Sequence, residues 1–193
     1  MASIFDSIKA GDVEAVQSAV RNDPSAVASR DENGLSAVRA ALYAHKQDVA
    51  DALLEAKPEL DVFDAAAAGD VDRLTELLDG DGELVRAWSE DGFTPLHLAA
   101  FFDRGKAVRL LLDRGADVGA VARNPMRVQP LHSAVAARSM EVVAALLVAG
   151  ADPNARQEGD FTPLMAAEQH EDEDMVRLLM DHGGEESAEA PTE

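Results

Sequence analysis

Two histidines 35 residues apart, His97 and His132, are the groups in this chain best suited to proton transfer or metal binding. A general base needs an activated nucleophile beside it, and no serine arrangement supplies one; the chain has no cysteine at all. A shared zinc needs both imidazoles within about 2.1 Å of the metal and at least one further ligand, and none is evident. His97 and His132 also follow the same Pro-Leu pair, so they occupy one position of a repeated unit. Packed helical units stack about 8 to 10 Å apart, a poor match to a common metal. Structural roles are therefore expected for both, and exposed helix positions for His45, His170 and His182. The run Glu171-Asp172-Glu173-Asp174 lacks the alternating ligands, central glycine and terminal glutamate of a calcium loop. It reads as acidic residues opening a helix, where they favour the positive end of the dipole. Gly80-Asp81-Gly82 is too short and too acidic to cradle phosphate and marks a turn. No catalytic, cofactor-binding or metal-binding residue is expected.

The elements that carry these residues repeat. Ala10-Gly11-Asp12-Val13 recurs 58 residues later as Ala68-Gly69-Asp70-Val71, and the same offset takes Gly34 to Gly92, Ala41 to Ala99 and Leu53-Leu54 to Leu111-Leu112. Thr94-Pro95-Leu96-His97, Gln129-Pro130-Leu131-His132 and Thr162-Pro163-Leu164-Met165 follow at spacings of 35 and 33. Within a unit Thr94 can cap a helix, and Pro95 fits its first position, where the missing N–H costs nothing. Leu96, Ala99 and Ala100 give that helix a small apolar face that lets a neighbour approach closely. A second helix from Lys106 places Val108, Leu111 and Leu112 on one side, and Gly115 ends it.

These residues resemble the ankyrin repeat, whose unit of about 33 residues carries a Thr-Pro-Leu-His-x-Ala pattern. The likeness is strongest from Gly92 to Gly183, and Phe63 to Val71 resembles the degenerate repeats of bacterial ankyrin proteins; thirteen arginines against four lysines lean the same way. The resemblance implies an all-α solenoid of about six helix-turn-helix repeats with short β-hairpin fingers, in which the repeat histidine ties one unit to the next. Its repeats are expected at about 1–32, 33–56, 57–90, 91–125, 126–158 and 159–183, in a single domain 1–183 followed by an acidic disordered tail, 184–193. The second spacing is about ten residues short, so Lys57-Pro58-Glu59 must cross as a tight turn with no finger. Fingers are expected near 22–35, 79–93, 115–129 and 150–161, the third lengthened by two residues within 123–128. Each unit should contact only its neighbours, so that stability is roughly a sum over units and interfaces.

Charge and composition narrow the function. Thirty-seven acidic against seventeen basic residues leave -20, a field that repels nucleic-acid phosphates. The longest nearly apolar run, Val142 to Ala151, is well short of the ~18 to 20 residues of a membrane span. The absence of cysteine and of a secretory signal at the start points to the cytoplasm. Residues 101–156 are locally basic, with eight basic and five acidic groups, between acidic flanks. That segment reads equally well as an interaction patch or as a solvated face of scattered charge.

The resemblance implies a non-catalytic adaptor, expected to be monomeric, that binds a protein partner through the concave face formed by finger tips and first helices. Trp88, Phe93, Phe102, Arg104, Arg127, Arg138 and Phe161 are the expected contact residues, since Trp and Arg are typical interface hot spots. Phe93 and Phe161 can equally staple finger to helix. Tyr43 and Phe101, at matching positions, are assigned to packing. The alternative is an acidic regulator that masks a basic partner, such as a nucleic-acid-binding protein, by electrostatic complementarity.

Overall fold

A computed structural model of the protein describes residues 3–185. Its helices come in pairs: α1 (Ile4–Ala10) with α2 (Val13–Asn22), α3 (Ala37–Tyr43) with α4 (Gln47–Glu55), α5 (Val62–Ala68) with α6 (Val71–Gly80), α7 (Pro95–Phe101) with α8 (Gly105–Asp113), α9 (Pro130–Ala136) with α10 (Met140–Val148), and α11 (Pro163–Gln169) with α12 (Glu173–Asp181). The first helices stack in chain order from α1 to α11, giving an all-α solenoid. Every first helix has seven residues and most bury alanines, such as Ala65, Ala66, Ala99 and Ala134, whose small side chains permit the close stacking. Leu53, Leu74, Leu111 and Leu146 of the second helices fill the space behind them, all fully buried.

Capping residues fix where each pair begins. Ser3, Ser36, Asp61, Thr94 and Thr162 accept a hydrogen bond from the first turn of their helix, and Pro95, Pro130 and Pro163 sit at its start. Between the helices of a pair the chain turns through one left-handed residue. In the first and third pairs this is a glycine directly after the helix, Gly11 (φ 73°) and Gly69 (φ 78°). In the others it comes one residue later, as His45, Asp103, Arg138 and Glu171. The second helix then starts from Asp12, Asp70, Ser139 and Asp172, which cap it, or from Lys46 and Arg104, which do not. Each long cation lies instead over the glycine turn of the preceding pair: Lys46 over Gly11, and Arg104 over Gly69 with its Nε donating to the Ala67 carbonyl at 3.0 Å. The 58-residue register of the sequence is thus a two-unit period, glycine turn followed by cationic cover.

The fingers are tight turns whose two ends are joined by a backbone hydrogen bond. Asp31 N–H donates to Leu35, Ser89 to Phe93 and Gln157 to Phe161, each four residues on. In the fourth unit Ala122 donates to Val128, six residues on, which is the two-residue insertion. Successive fingers are tied by Arg123 N–H to the Gly92 carbonyl (2.8 Å) and Glu158 N–H to the Met126 carbonyl (3.0 Å). The first halves of 22–35 and 79–93 hold one-turn 3-10 helices, Pro24–Ala28 and Gly82–Arg86. Among the described residues the only bridge is an isolated antiparallel one, Arg30 with Ser36. No finger stands between α4 and α5; Lys57 takes φ 52°, and the chain runs extended past the buried Leu60 to the Asp61 cap. Gly184 and Glu185 are tied down, the latter by its N–H to Asn154 Oδ1 at 2.8 Å, and the rest of the expected tail lies outside the described residues. Among the described residues no helix is long and apolar enough to cross a membrane.

Candidate functional site

The two repeat histidines are buried and spent on the scaffold. His97 Nδ1 accepts from the Thr94 hydroxyl (2.8 Å) and the Thr94 N–H (3.3 Å), so the ring proton sits on Nε2, which donates to the Val128 carbonyl of the next finger at 3.1 Å. Burial pushes its pKa down to about 4. His132 repeats the arrangement, with Gln129 N–H donating to Nδ1 at 3.2 Å. Burial lowers this imidazole too, against the pull of the Phe161 and Ala155 carbonyls, and its Nε2 closes no hydrogen bond to either. The His97 ring therefore joins its unit to the next finger by a hydrogen bond, whereas the His132 ring is buried at the same position without closing that bond, so the expected tie holds for His97 and not for His132. Among the described residues no three potential ligands cluster for a metal.

An exposed groove runs beside the ends of the first helices and the finger turns. Its relief is set by one position near the end of each first helix, held by Tyr43, an alanine in the third unit (Ala67, Ala68), Phe101, Ala136 and Gln169. Over the alanines of α5 the flanking aromatics meet directly, Tyr43 to Phe102 at 5.1 Å and Tyr43 to Phe101 at 6.0 Å between ring centroids. Over Ala136 nothing closes the gap. A hollow of about 330 Å³ opens there, walled by Phe93, Phe101, Met126, Val128 and Gln157 and floored by Ser133. Its volume falls at the lower end of ligand-sized clefts. The lengthened third finger forms its rim, with Met126 52% exposed. Phe101 and Ala136 also border a second hollow of about 420 Å³ that continues towards the helix turns and His45, Lys46 and Arg104.

The residues expected at an interface divide between this groove and the scaffold. Phe93 lines the hollow and packs on His97, with ring centroids 5.7 Å apart. Phe102 lines the second hollow. Trp88 is half-buried beside His97 and carries the Arg123 guanidinium over its ring at 4.2 Å, a cation–π pair. Arg127 is exposed on the third finger at φ 51°, with no ion pair among the described residues. Phe161 is half-buried and closes the last finger. Arg104 borders the second hollow but spends Nε on α5, and Arg138 pairs with Asp172 at 3.5 Å. Tyr43 and Phe101 pack as expected and also line the groove. Much of the locally basic segment is absorbed the same way: Arg109 pairs with Glu141 at 2.6 Å and Arg114 with Asp79 at 2.7 Å, each across a unit boundary.

One cluster escaped the sequence reading. Arg39, 2% exposed, donates from Nε to Asp64 at 2.8 Å and pairs with Asp91 at 3.5 Å. Ser36 Oγ donates to Asp64 at 2.6 Å and Tyr43 Oη to Asp91 at 3.1 Å. Burial raises the pKa of the Asp64 carboxyl, and Asp61 adds to the rise, against its Ser36 and Arg39 partners. Arg39 and Asp64 stand three residues after their helix caps, the position that His97 and His132 fill later in the chain. Asp91 lies in the unit after next, so the expectation that units contact only their neighbours fails here.

Comparison with known proteins agrees with this geometry. A family model described as ankyrin repeats, in three copies, matches residues 62–157 and 120–190. The Neurogenic locus Notch protein of Drosophila melanogaster is 41% identical over 108 residues, 55% of this chain and 4% of the relative. The probable E3 ubiquitin-protein ligase XBOS31 of Oryza sativa subsp. japonica is 40% identical over 95 residues, 49% of this chain and 21% of its own length. The B-cell lymphoma 3 protein homolog of Mus musculus is 32% identical over 124 residues, 64% of this chain and 25% of the relative. The chain spans at most a quarter of the length of these proteins.

Proposed function

Because the chain belongs to the ankyrin repeat family, a fold of protein–protein interaction modules, we propose that it acts as a non-catalytic, monomeric cytoplasmic adaptor that presents the concave face of units three to six to a protein partner. The observation that carries this reading is the groove over Phe101 and Ala136, ready-made on a rigid stack. Its walls are fixed by helix packing and by Tyr43–Phe101–Phe102 ring contacts, so little entropy is lost when a partner docks. Phe93, Phe102 and Arg127 are the contact residues with the best support, followed by Trp88 and Phe161; Arg104 and Arg138 serve first as joints between units.

The net charge of -20 favours a second reading, an acidic regulator that covers a basic partner. Capture from lysate at low and high salt separates the two. Wild type is compared with a Phe101→Ala/Arg127→Glu variant and with Val148→Lys on an outer helix, all checked for helicity by circular dichroism. A partner held at high salt by wild type and Val148→Lys but lost by the concave-face variant supports the adaptor. Partners kept by all three proteins and washed off by salt would put the acidic regulator in its place.

A further inference from the structure

Resting on the concave-face reading, the geometry points to the chemistry of the occupant: we propose that the groove takes an acidic segment of a partner protein carrying one large apolar side chain, seated over Ala136 between Phe101 and the third finger. The seat is a gap in a column of side chains. Unit four fills this position with Phe101, unit five leaves it at Ala136, and the finger insertion carries Met126 and Val128 across the opening. No charged residue lines the hollow, so its contribution is burial of an apolar group. Ser133 Oγ, which has no hydrogen-bond partner among the described residues, can meet a backbone polar group of the segment entering beside the anchor.

The ends of the groove supply the charge. At the finger end Arg127 has no carboxylate partner among the described residues. At the turn end Lys46 and Arg104 border the second hollow, and Arg104 is committed only to a backbone carbonyl. Asp103 also lines the second hollow while accepting from Ser139 Oγ, so that end sets two cations against one carboxylate; Asp91 holds Arg39 and Tyr43, and Asp160 pairs with Arg156 at 3.6 Å. Glu158 is the exposed carboxylate beside the finger. In a protein of charge -20 this strip is neutral to basic, which selects an acidic occupant. The seven residues of α7 span about 10 Å, the reach of about three extended residues, so carboxylates on either side of the anchor meet the two ends.

The test uses the full chain and fluorescein-labelled peptides with a central phenylalanine flanked by two glutamates on each side, read by anisotropy at about 0.15 M salt. Replacing the central phenylalanine by alanine, or the glutamates by lysines, should weaken binding at least about tenfold. Ala136→Leu, which plugs the hollow from an exposed position, should do the same, as should Met126→Glu, which adds a charge at the rim without touching the core. Binding of the lysine-flanked peptide as tight as its counterpart, equal affinity for Ala136→Leu and Met126→Glu, or no binding of the glutamate peptide at about 1 mM would each overturn the proposal. Loss of the lysate partner by the concave-face variant alongside failure of the peptides would leave the adaptor standing and remove only this chemistry.

Discussion

His97 should make the stability of the stack depend on pH below neutrality. Its pKa falls from an ordinary 6.5 to about 4 on folding because the ring is buried, and a proton on Nδ1 would also break the contact with the Thr94 N–H and force the Thr94 hydroxyl to turn from donor to acceptor. The unfolded chain therefore takes up a proton that the folded one refuses. The stabilisation is whole above pH 6.5, declines as pH falls towards about 4 and is flat below that. At full titration a difference of this size is worth about 3 kcal/mol, of which about 2 kcal/mol is lost between about pH 7 and about pH 5. The assay is urea denaturation of wild type and His97→Gln at those two pH values. At about pH 7 the variant should be less stable by about 1 to 3 kcal/mol, because a carboxamide cannot reach Thr94 and the Val128 carbonyl from opposite sides as the ring does. On moving to about pH 5 the gap should close by about 2 kcal/mol, since only wild type has the proton to refuse. The carboxylates common to both proteins cancel in the comparison. A gap that is the same at both pH values would refute the reasoning.

Three further outcomes can be measured by the same denaturation. Arg39→Met should cost about 3 to 5 kcal/mol by leaving Asp64 buried without its partner, and Arg39→Met/Asp64→Leu should recover part of that loss. Gly69→Ala should cost about 1 to 2 kcal/mol, from a side chain at positive φ and from displacing Arg104, whose Cδ would lie 2.9 Å from the new Cβ. Val148→Lys, at a position 81% exposed on α10, should change stability by less than about 0.5 kcal/mol and leave the solution mass that of one chain.

The frame of this molecule was legible because its signals are local. Proline starts, glycine turns and the Lys57-Pro58 break each act on the backbone within a few residues, and the spacing of 35 marks the long finger that the Ala122 to Val128 hydrogen bond closes. The histidines were legible too, once their shared position was noticed. The cavity was not, since it depends on comparing side-chain sizes down one column, where Tyr43, Phe101 and Ala136 stand in successive or alternate units. The same comparison exposes the buried ion pair, because Arg39 and Asp64 occupy the histidine column with opposite charges in adjacent units. Segment charge misled for a related reason: Arg109, Arg114 and Arg138 find their acids in neighbouring units, which no running sum along the chain reveals.

The missing finger between α4 and α5 removes one of the ties that elsewhere bind successive units, and a chain of nearest-neighbour couplings would fray at that joint. Two contacts skip over it. Arg39 reaches Asp91 and Tyr43 reaches Phe102, both in the unit after next, so units two, three and four open together or not at all. The consequence is kinetic: in hydrogen exchange, amides of α3, α5 and α7 should share one opening free energy, while α1 and α12 exchange through smaller, earlier openings. The joint of the solenoid that lacks a finger thereby lies inside its largest cooperative block.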